Sequence, residues 1–344
     1  MKFAKISYLI LLNLIGALAG GQAFELDAAA DGRGDSGYQT KWDSTHSRLL
    51  VFRDTSAPDI PSARIFGANG TSVPIFILRD FRDAKFSDVW AGAATPEGGI
   101  VLSVILGFGD RPNPKDQSKS FPPLKSLVLT YGPDGSLKKV WNVAPYQHQA
   151  LAVDLLGNVF ALGTRDAGPE GFPMLIKYSP SGAILGEYIP SKMFPIGAKA
   201  LDGSALNGSP ALFIRNQHLV LWVSSTREAF RLSLNGELQR KIAVGPTIDR
   251  LATQNGFAQG TIAGLALEDS GGLAVQVRFW PSITSVQGMM LGMVNISPEG
   301  TEVKLINPPT GVAVNTQQFL GITQDGKSVV LEFAGKGHAL VRKQ

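Results

Sequence analysis

Four histidines, His46, His148, His218 and His338, and no cysteine set the range of side-chain chemistry open to this chain of 344 residues. Without thiols there is no cysteine nucleophile, no zinc–cysteine site and no thiolate-held iron–sulfur cluster. The histidines are too widely spaced for sequence alone to gather them round a metal, and neither Gly-x-Ser-x-Gly nor His-Glu-x-x-His occurs. The best set for a divalent cation is Asp88 with His148 or Asn315, a weak candidate that pairs a carboxylate with an imidazole or an amide. Neutral donors and acceptors are more plentiful. Gln147, His148 and Gln149 form one cluster, and Gln317 stands beside Asn315 in another. Such residues suit a polar ligand, a sugar or a peptide backbone, and equally suit ordered water. Three arginines stand in conspicuous loops. Arg111 is in the longest interruption, 107–125; Arg165 is in 163–173; Arg278 lies beside Trp280 in 278–290, where an arginine and an aromatic could form a binding lip.

These residues need a frame, and a repeat supplies it. A turn followed by an apolar strand recurs as HSRLLVF (46–52), EGGIVLSV (97–104), LGNVFALG (156–163), NQHLVLWV (216–223), SGGLAVQV (270–277) and DGKSVVLEF (325–333). With Ser47, Gly98, Gly157, Gln217, Gly271 and Gly326 as equivalents, the steps are 51, 59, 60, 54 and 55 residues. Strand repeats of this length mean a radial or stacked β architecture. A second turn, as in YGPDGSLK (131–138) and YSPSGAIL (178–185), recurs in five of the six units and reads as a hairpin. The expectation is an all-β, six-bladed propeller of four-stranded antiparallel blades. Extra strands in 24–45 or 191–209 would make seven. The last unit runs out at Gln344 one strand short, so part of 24–36 is expected to supply the missing strand and close the ring, since an open edge invites aggregation. No stretch is expected to be a long helix; 191–209 is broken by proline and glycine and reads as a loop.

One unit carries a resemblance. AVDLLGNVFALG with PMLIKYSPSGAILGEY (152–163, 173–188) resembles an NHL-type blade of the NHL-type and TolB-like six-bladed propellers, through Asp154, Gly157, Asn158, Ser179 and Gly182. The other units match loosely, and Gly163-Thr164-Arg165 replaces the aspartate usual after the second strand. The resemblance implies functions as varied as sugar-lactone hydrolysis with a divalent metal ion, periplasmic scaffolding and ligand sensing; a shared fold does not choose among them.

Residues 1–23 read as a signal peptide: Lys2 and Lys5, an apolar stretch Ile6 to Ala19, then small residues permitting cleavage after Ala19 or Ala23. Residues 24–37 are a tail or the closing strand, and 38–344 one propeller domain. Export to the periplasm or the medium follows, with no membrane span after cleavage. The formal charge of +4 falls to +2 once Lys2 and Lys5 leave, and no basic run accompanies it, which excludes nucleic acid as a partner. The expected function is a binding or scaffold module for a protein, a sugar or another polar small molecule, its ligand face made by Arg111, Gln147, His148, Gln149, Arg165, Arg278, Trp280 and Gln317. The alternatives are a metal-dependent hydrolase of the sugar-lactone type and a purely structural envelope component.

Overall fold

The structure, a computed structural model, describes residues 22–25, 39–67, 71–111, 122–165, 172–190, 211–224, 226–282, 289–311, 317–323, 327–333 and 338–343. Apolar runs of five to nine residues punctuated by turn glycines can bury both faces only inside stacked sheets. The chain accordingly forms four-stranded antiparallel sheets. The first contains β2 (Gln39–Asp43), β3 (Arg48–Phe52), β4 (Ala63–Phe66) and β5 (Ser72–Ile75). The second contains β6 (Phe86–Ala94), β7 (Ile100–Gly107), β8 (Leu124–Tyr131) and β9 (Leu137–Asn142). The third contains β10 (Tyr146–Val153), β11 (Val159–Arg165), β12 (Pro173–Tyr178) and β13 (Ile184–Pro190). The fourth contains β14 (Ala211–Arg215), β15 (His218–Val223), β16 (Glu228–Leu232) and β17 (Leu238–Ile242). The fifth contains β18 (Gln259–Leu267), β19 (Leu273–Trp280), β20 (Met290–Ile296) and β21 (Val303–Gly311).

The remaining sheet is composite. β22 (Gln317–Ile322), β23 (Ser328–Phe333) and β24 (His338–Lys343) are joined at the outer edge by β1 (Gln22–Glu25), with Gln22 opposite Val341 and Glu25 opposite His338. The expected six equivalent blades in one ring are thus corrected to five blades of consecutive strands and one composite sheet, and these fall into two compact units. The first four blades lie in the unit that includes Ser72–Ile242; the fifth blade and the composite sheet lie in the other. The correction has a physical source. A periodic sequence shows how many times a hairpin recurs, but not how the sheets group; the N-terminal strand expected to complete the last sheet is present, at Gln22–Glu25. β1 also begins at Gln22, inside the stretch read as the leader.

The turns follow the repeat closely. Ser47, Gly98, Gly157, Gln217 and Gly271 all have positive φ, as do the second-turn glycines Gly135, Gly182, Gly236 and Gly300. Glycine is favoured there because it adopts that conformation without steric cost. Asp154 shows how such a turn is held: its carboxylate accepts from the Leu156 and Asn158 backbone N–H at 2.9 and 2.8 Å and from Asn158 Nδ2 at 2.8 Å.

A second regularity lies in the strand pairing. The first strands β6, β10, β18 and β22 each carry a one-residue register shift, at Val89/Ala91, His148/Ala150, Ile262/Gly264 and Phe319/Gly321. A small residue follows each shift: Ala91, Ala150, Gly264 and Gly321. At Gly264 an added Cβ would stand 2.7 Å from the Phe319 ring, so the close packing requires glycine. The second strands form the cores. All of Ile100–Gly107 is buried, and Leu219, Val220 and Leu221 are fully buried in the fourth blade. Each such side chain contributes roughly 1.5–3 kcal/mol of burial.

Among the described residues two helices interrupt the sheets: α1 (Ile77–Asp80) and α2 (Val244–Gln254). α2 corrects the expectation of no long helix. Val244, Ile248 and Ala252 make a buried stripe at i, i+4, i+8, and Gly245-Pro246, a breaker elsewhere, falls in the first turn where proline is tolerated.

Candidate functional site

One end of the first two blades gathers charge. β3 ends at Phe52, and the chain continues through Asp54 to Thr55, which pairs with Ser87 of β6 through two backbone hydrogen bonds of 2.9 and 2.8 Å. That bridge fixes Asp54 over β6, where its Oδ1 accepts from the Val89 N–H at 2.9 Å. Beneath it, the hydroxyls of Ser62 and Ser87 meet at 3.3 Å, both residues fully buried. Asp88 follows on β6, and Arg111, just beyond β7, forms an ion pair with it. The Arg111 guanidinium also lies 4.9 Å from the centre of the Phe86 ring, a cation–π contact.

Two carboxylates therefore share one arginine at an exposed rim. Partial burial and the neighbouring charge of Asp54 push Asp88 up to about 6, and Arg111 opposes that rise. Asp54 is also raised, by burial first, with the Val89 N–H and Arg111 acting the other way. The Asp88 and Arg111 side chains keep 27% and 43% of their surface exposed. The rim can thus present carboxylate acceptors and guanidinium donors together, with one acid that changes protonation near pH 6.

The candidate residues separate sharply. Asp88 and Arg111 are brought together, but the cluster depends on Asp54, which sequence reasoning missed because it lies in no repeated position. His148 is elsewhere in character. It is 1% exposed, its Nε2 hydrogen-bonds Tyr178 Oη at 2.9 Å, and its ring stacks on Tyr146 with centroids 5.9 Å apart. Burial pulls its pKa down to about 3, so it is neutral. Its neighbour Gln149 is also buried, and Gln147 is half-buried. Arg165 ends β11 opposite Tyr146. In the other unit, Arg278 and Trp280 stand on one face of β19, and the Trp280 indole donates to Thr261 Oγ1 at 2.9 Å. The Arg278 Nε is buried without a hydrogen-bond partner. Gln317 begins β22, and Asn315 lies outside the described residues.

Among the described residues no three His, Cys, Asp or Glu side chains gather in a way that could hold a metal. At Asp88 the guanidinium of Arg111 supplies the positive charge that a cation would otherwise bring, so this pair of carboxylates does not fit a divalent ion. Among the same residues no helix is long and apolar enough to cross a membrane.

No protein family and no curated protein matches the chain. The resemblance of the third blade to the six-bladed NHL-type and TolB-like propellers is corrected by the fold, which has five blades of consecutive strands; the turn chemistry at Asp154 is present. Three of the solved structures to which the chain is similar illustrate the likeness. A member of the duf4221 family from Bacteroides vulgatus has 7% identity and a TM-score of 0.49, covering 93% of this chain and 95% of that one. A putative exported protein from Bacteroides fragilis has 10% identity and a TM-score of 0.48, covering 94% and 95%. A gluconolactonase from Xanthomonas campestris has 12% identity and a TM-score of 0.44, covering 94% and 98%. At these values the likenesses carry no activity to this chain.

Proposed function

We propose that this protein is an exported binding module that holds a polar, hydroxyl-bearing ligand at the Asp54–Asp88–Arg111 rim. The observation that supports it is the sharing of one arginine by two carboxylates at an exposed blade end. Sugar hydroxyls both donate and accept. Carboxylates take their protons, and a guanidinium gives protons to their oxygens. Phe86, buried beneath Arg111, holds the guanidinium in place by a cation–π contact. Export is supported by Lys2, Lys5 and the apolar stretch to Ala19.

The test is a titration of isotopically labelled protein with a panel of neutral mono- and disaccharides, followed by backbone NMR. A ligand that saturates with shifts centred on Asp54, Asp88 and Val89, and binds at least tenfold more weakly to Asp88→Asn, sustains the reading. Shifts scattered elsewhere, or equal binding by the variant, reject the rim as the site. Expression in a bacterium with fractionation of cytoplasm, periplasm and medium checks export separately.

A further inference from the structure

The outermost strand of the composite sheet is also the first described segment of the chain. β1 pairs with β24 over four residues: Gln22 opposite Val341, Ala23 opposite Leu340, Phe24 opposite Ala339 and Glu25 opposite His338. β22, β23 and β24 come from the far end of the sequence, and all four strands belong to one compact unit. Each residue taken from the front of β1 uncovers part of β24. Val341, which is 2% exposed, loses its opposite residue first. An uncovered strand edge presents unpaired N–H and C=O groups on which another chain can pair.

The same residues bear on removal of the leader. Small residues permit a cut after Ala19 or after Ala23. A cut after Ala23 removes Gln22 and Ala23, half of β1, and puts a charged terminal ammonium on Phe24, within the pairing to β24. A cut after Ala19 leaves all four paired residues, preceded by Gly20 and Gly21. The residues around the two bonds favour the same choice independently. Ala17-Leu18-Ala19 has alanine at both recognition positions and ends the apolar stretch. Gly21-Gln22-Ala23 has glycine at the first of them and lies further from that stretch.

We propose that the leader is cut after Ala19, so that the exported chain begins at Gly20 and keeps β1 whole. This rests on the reading of the protein as exported. A leader peptidase would add water across the Ala19–Gly20 peptide bond, leaving the Ala19 carboxylate on the leader and the Gly20 ammonium on the exported chain. Two glycines then separate the new charge from the first paired residue.

The experiment expresses the full chain in a bacterium, fractionates the cells and medium, and reads the N-terminus by intact mass and Edman degradation. A chain beginning at Gly20 supports the proposal. A chain beginning at Phe24 overturns it and leaves export standing; a chain that retains its leader overturns both. Ala19→Tyr should abolish the Gly20 terminus, and Ala23→Tyr should leave it unchanged; the reverse pattern overturns the assignment. Hydrogen exchange on chains made to start at Gly20 and at Phe24 gives a second reading. The β24 amides bonded to β1 should exchange about tenfold faster or more in the shorter chain. Equal protection in the two chains would overturn the reason for the choice.

Discussion

Asp88 and His148 look alike in the sequence: each is a polar residue near the start of a blade's first strand. Their fates are opposite. Asp88 is partly open to solvent and paired with Arg111; His148 is 1% exposed and packed between Tyr146 and Tyr178. The register shifts explain the difference. His148, Val89, Ile262 and Phe319 are the residues immediately before the shift in β10, β6, β18 and β22. His148 therefore stands in a row otherwise held by valine, isoleucine and phenylalanine. Asp88 falls one residue earlier, in the row of Gln147, on the opposite side of its strand. One step in register separates a core position from a rim position, because side chains alternate faces.

The largest expected effect breaks the core side of this pair. His148→Ala removes a packed ring and leaves the buried Tyr178 hydroxyl without its partner. It should cost about 2–4 kcal/mol in urea unfolding. Asp88→Ala, on the rim, should cost less than about 1 kcal/mol under the same conditions. Equal losses would mean that the row assignment is wrong. His148→Phe paired with Tyr178→Phe should be milder than either single change suggests, since both hydrogen-bonding partners leave together.

Much of the frame was legible because glycine at positive φ leaves a mark that recurs. Ser47 and Gln217 were placed in the same turns by spacing alone, and both adopt positive φ. The register shifts were not legible, since they are a property of pairing between strands, and the small residue after each one is too common in these strands to mark it. That is why His148 read as a ligand. Asp54 was missed for a related reason: only the Thr55–Ser87 bridge, made between residues far apart in sequence, carries it to Asp88. The outer strand expected from 24–36 forms at Gln22–Glu25; only its start was misplaced, because Gln22 and Ala23 also satisfy the pattern of a leader's cleavage region.

The next effect sharpens the comparison through pH. Burial and Asp54 push Asp88 in the folded protein up to about 6, above its ordinary value of 3.8, so its contribution to stability is full below 3.8 and is lost as pH rises through 6. His148 titrates at about 3 when folded against 6.5 otherwise, so its contribution is full above 6.5 and is lost as pH falls toward 3. Between about pH 4 and 6 the two slopes oppose each other, each at most about 1.4 kcal/mol per pH unit, with that of Asp88 the shallower because solvent screens its open side. Thermal melts of Asp88→Asn should show stability falling more steeply with acidification than the wild type. Melts of His148→Phe should show it rising over the same interval. Parallel curves for the two variants would contradict the opposite placement of the residues.

Lys41 on β2, whose Nζ donates to the carbonyl of Leu151 on β10 at 2.7 Å, adds a third, separate window. Burial lowers its pKa to about 8, below the ordinary 10.5, so the cost of holding its charge is present below pH 8 and is relieved as pH rises toward 10.5. Wild-type Tm should therefore climb between pH 8 and 9.5 relative to Lys41→Met, whose curve lacks this rise. A wild-type curve that tracks the variant across this interval would place the ammonium in open solvent.

The smallest expected effect isolates the rim itself. Arg111 holds down the pKa of Asp88 against the push of burial and of Asp54. Arg111→Gln removes that opposition while keeping a hydrogen-bonding side chain of similar reach. The change in stability at pH 7 should stay below about 1 kcal/mol, as for other exposed ion pairs. The titration midpoint of Asp88, followed by NMR of its side-chain carboxyl carbon, should move upward from about 6. The His148 ring signals should not respond, since that residue lies in a different blade and hydrogen-bonds Tyr178. A downward movement of Asp88, or a coupled change at His148, would show that the two positions are linked through something other than their shared place in the repeat. Movement at Asp88 alone would establish the rim as a local charge cluster, tuned by one arginine and independent of the core row one residue away.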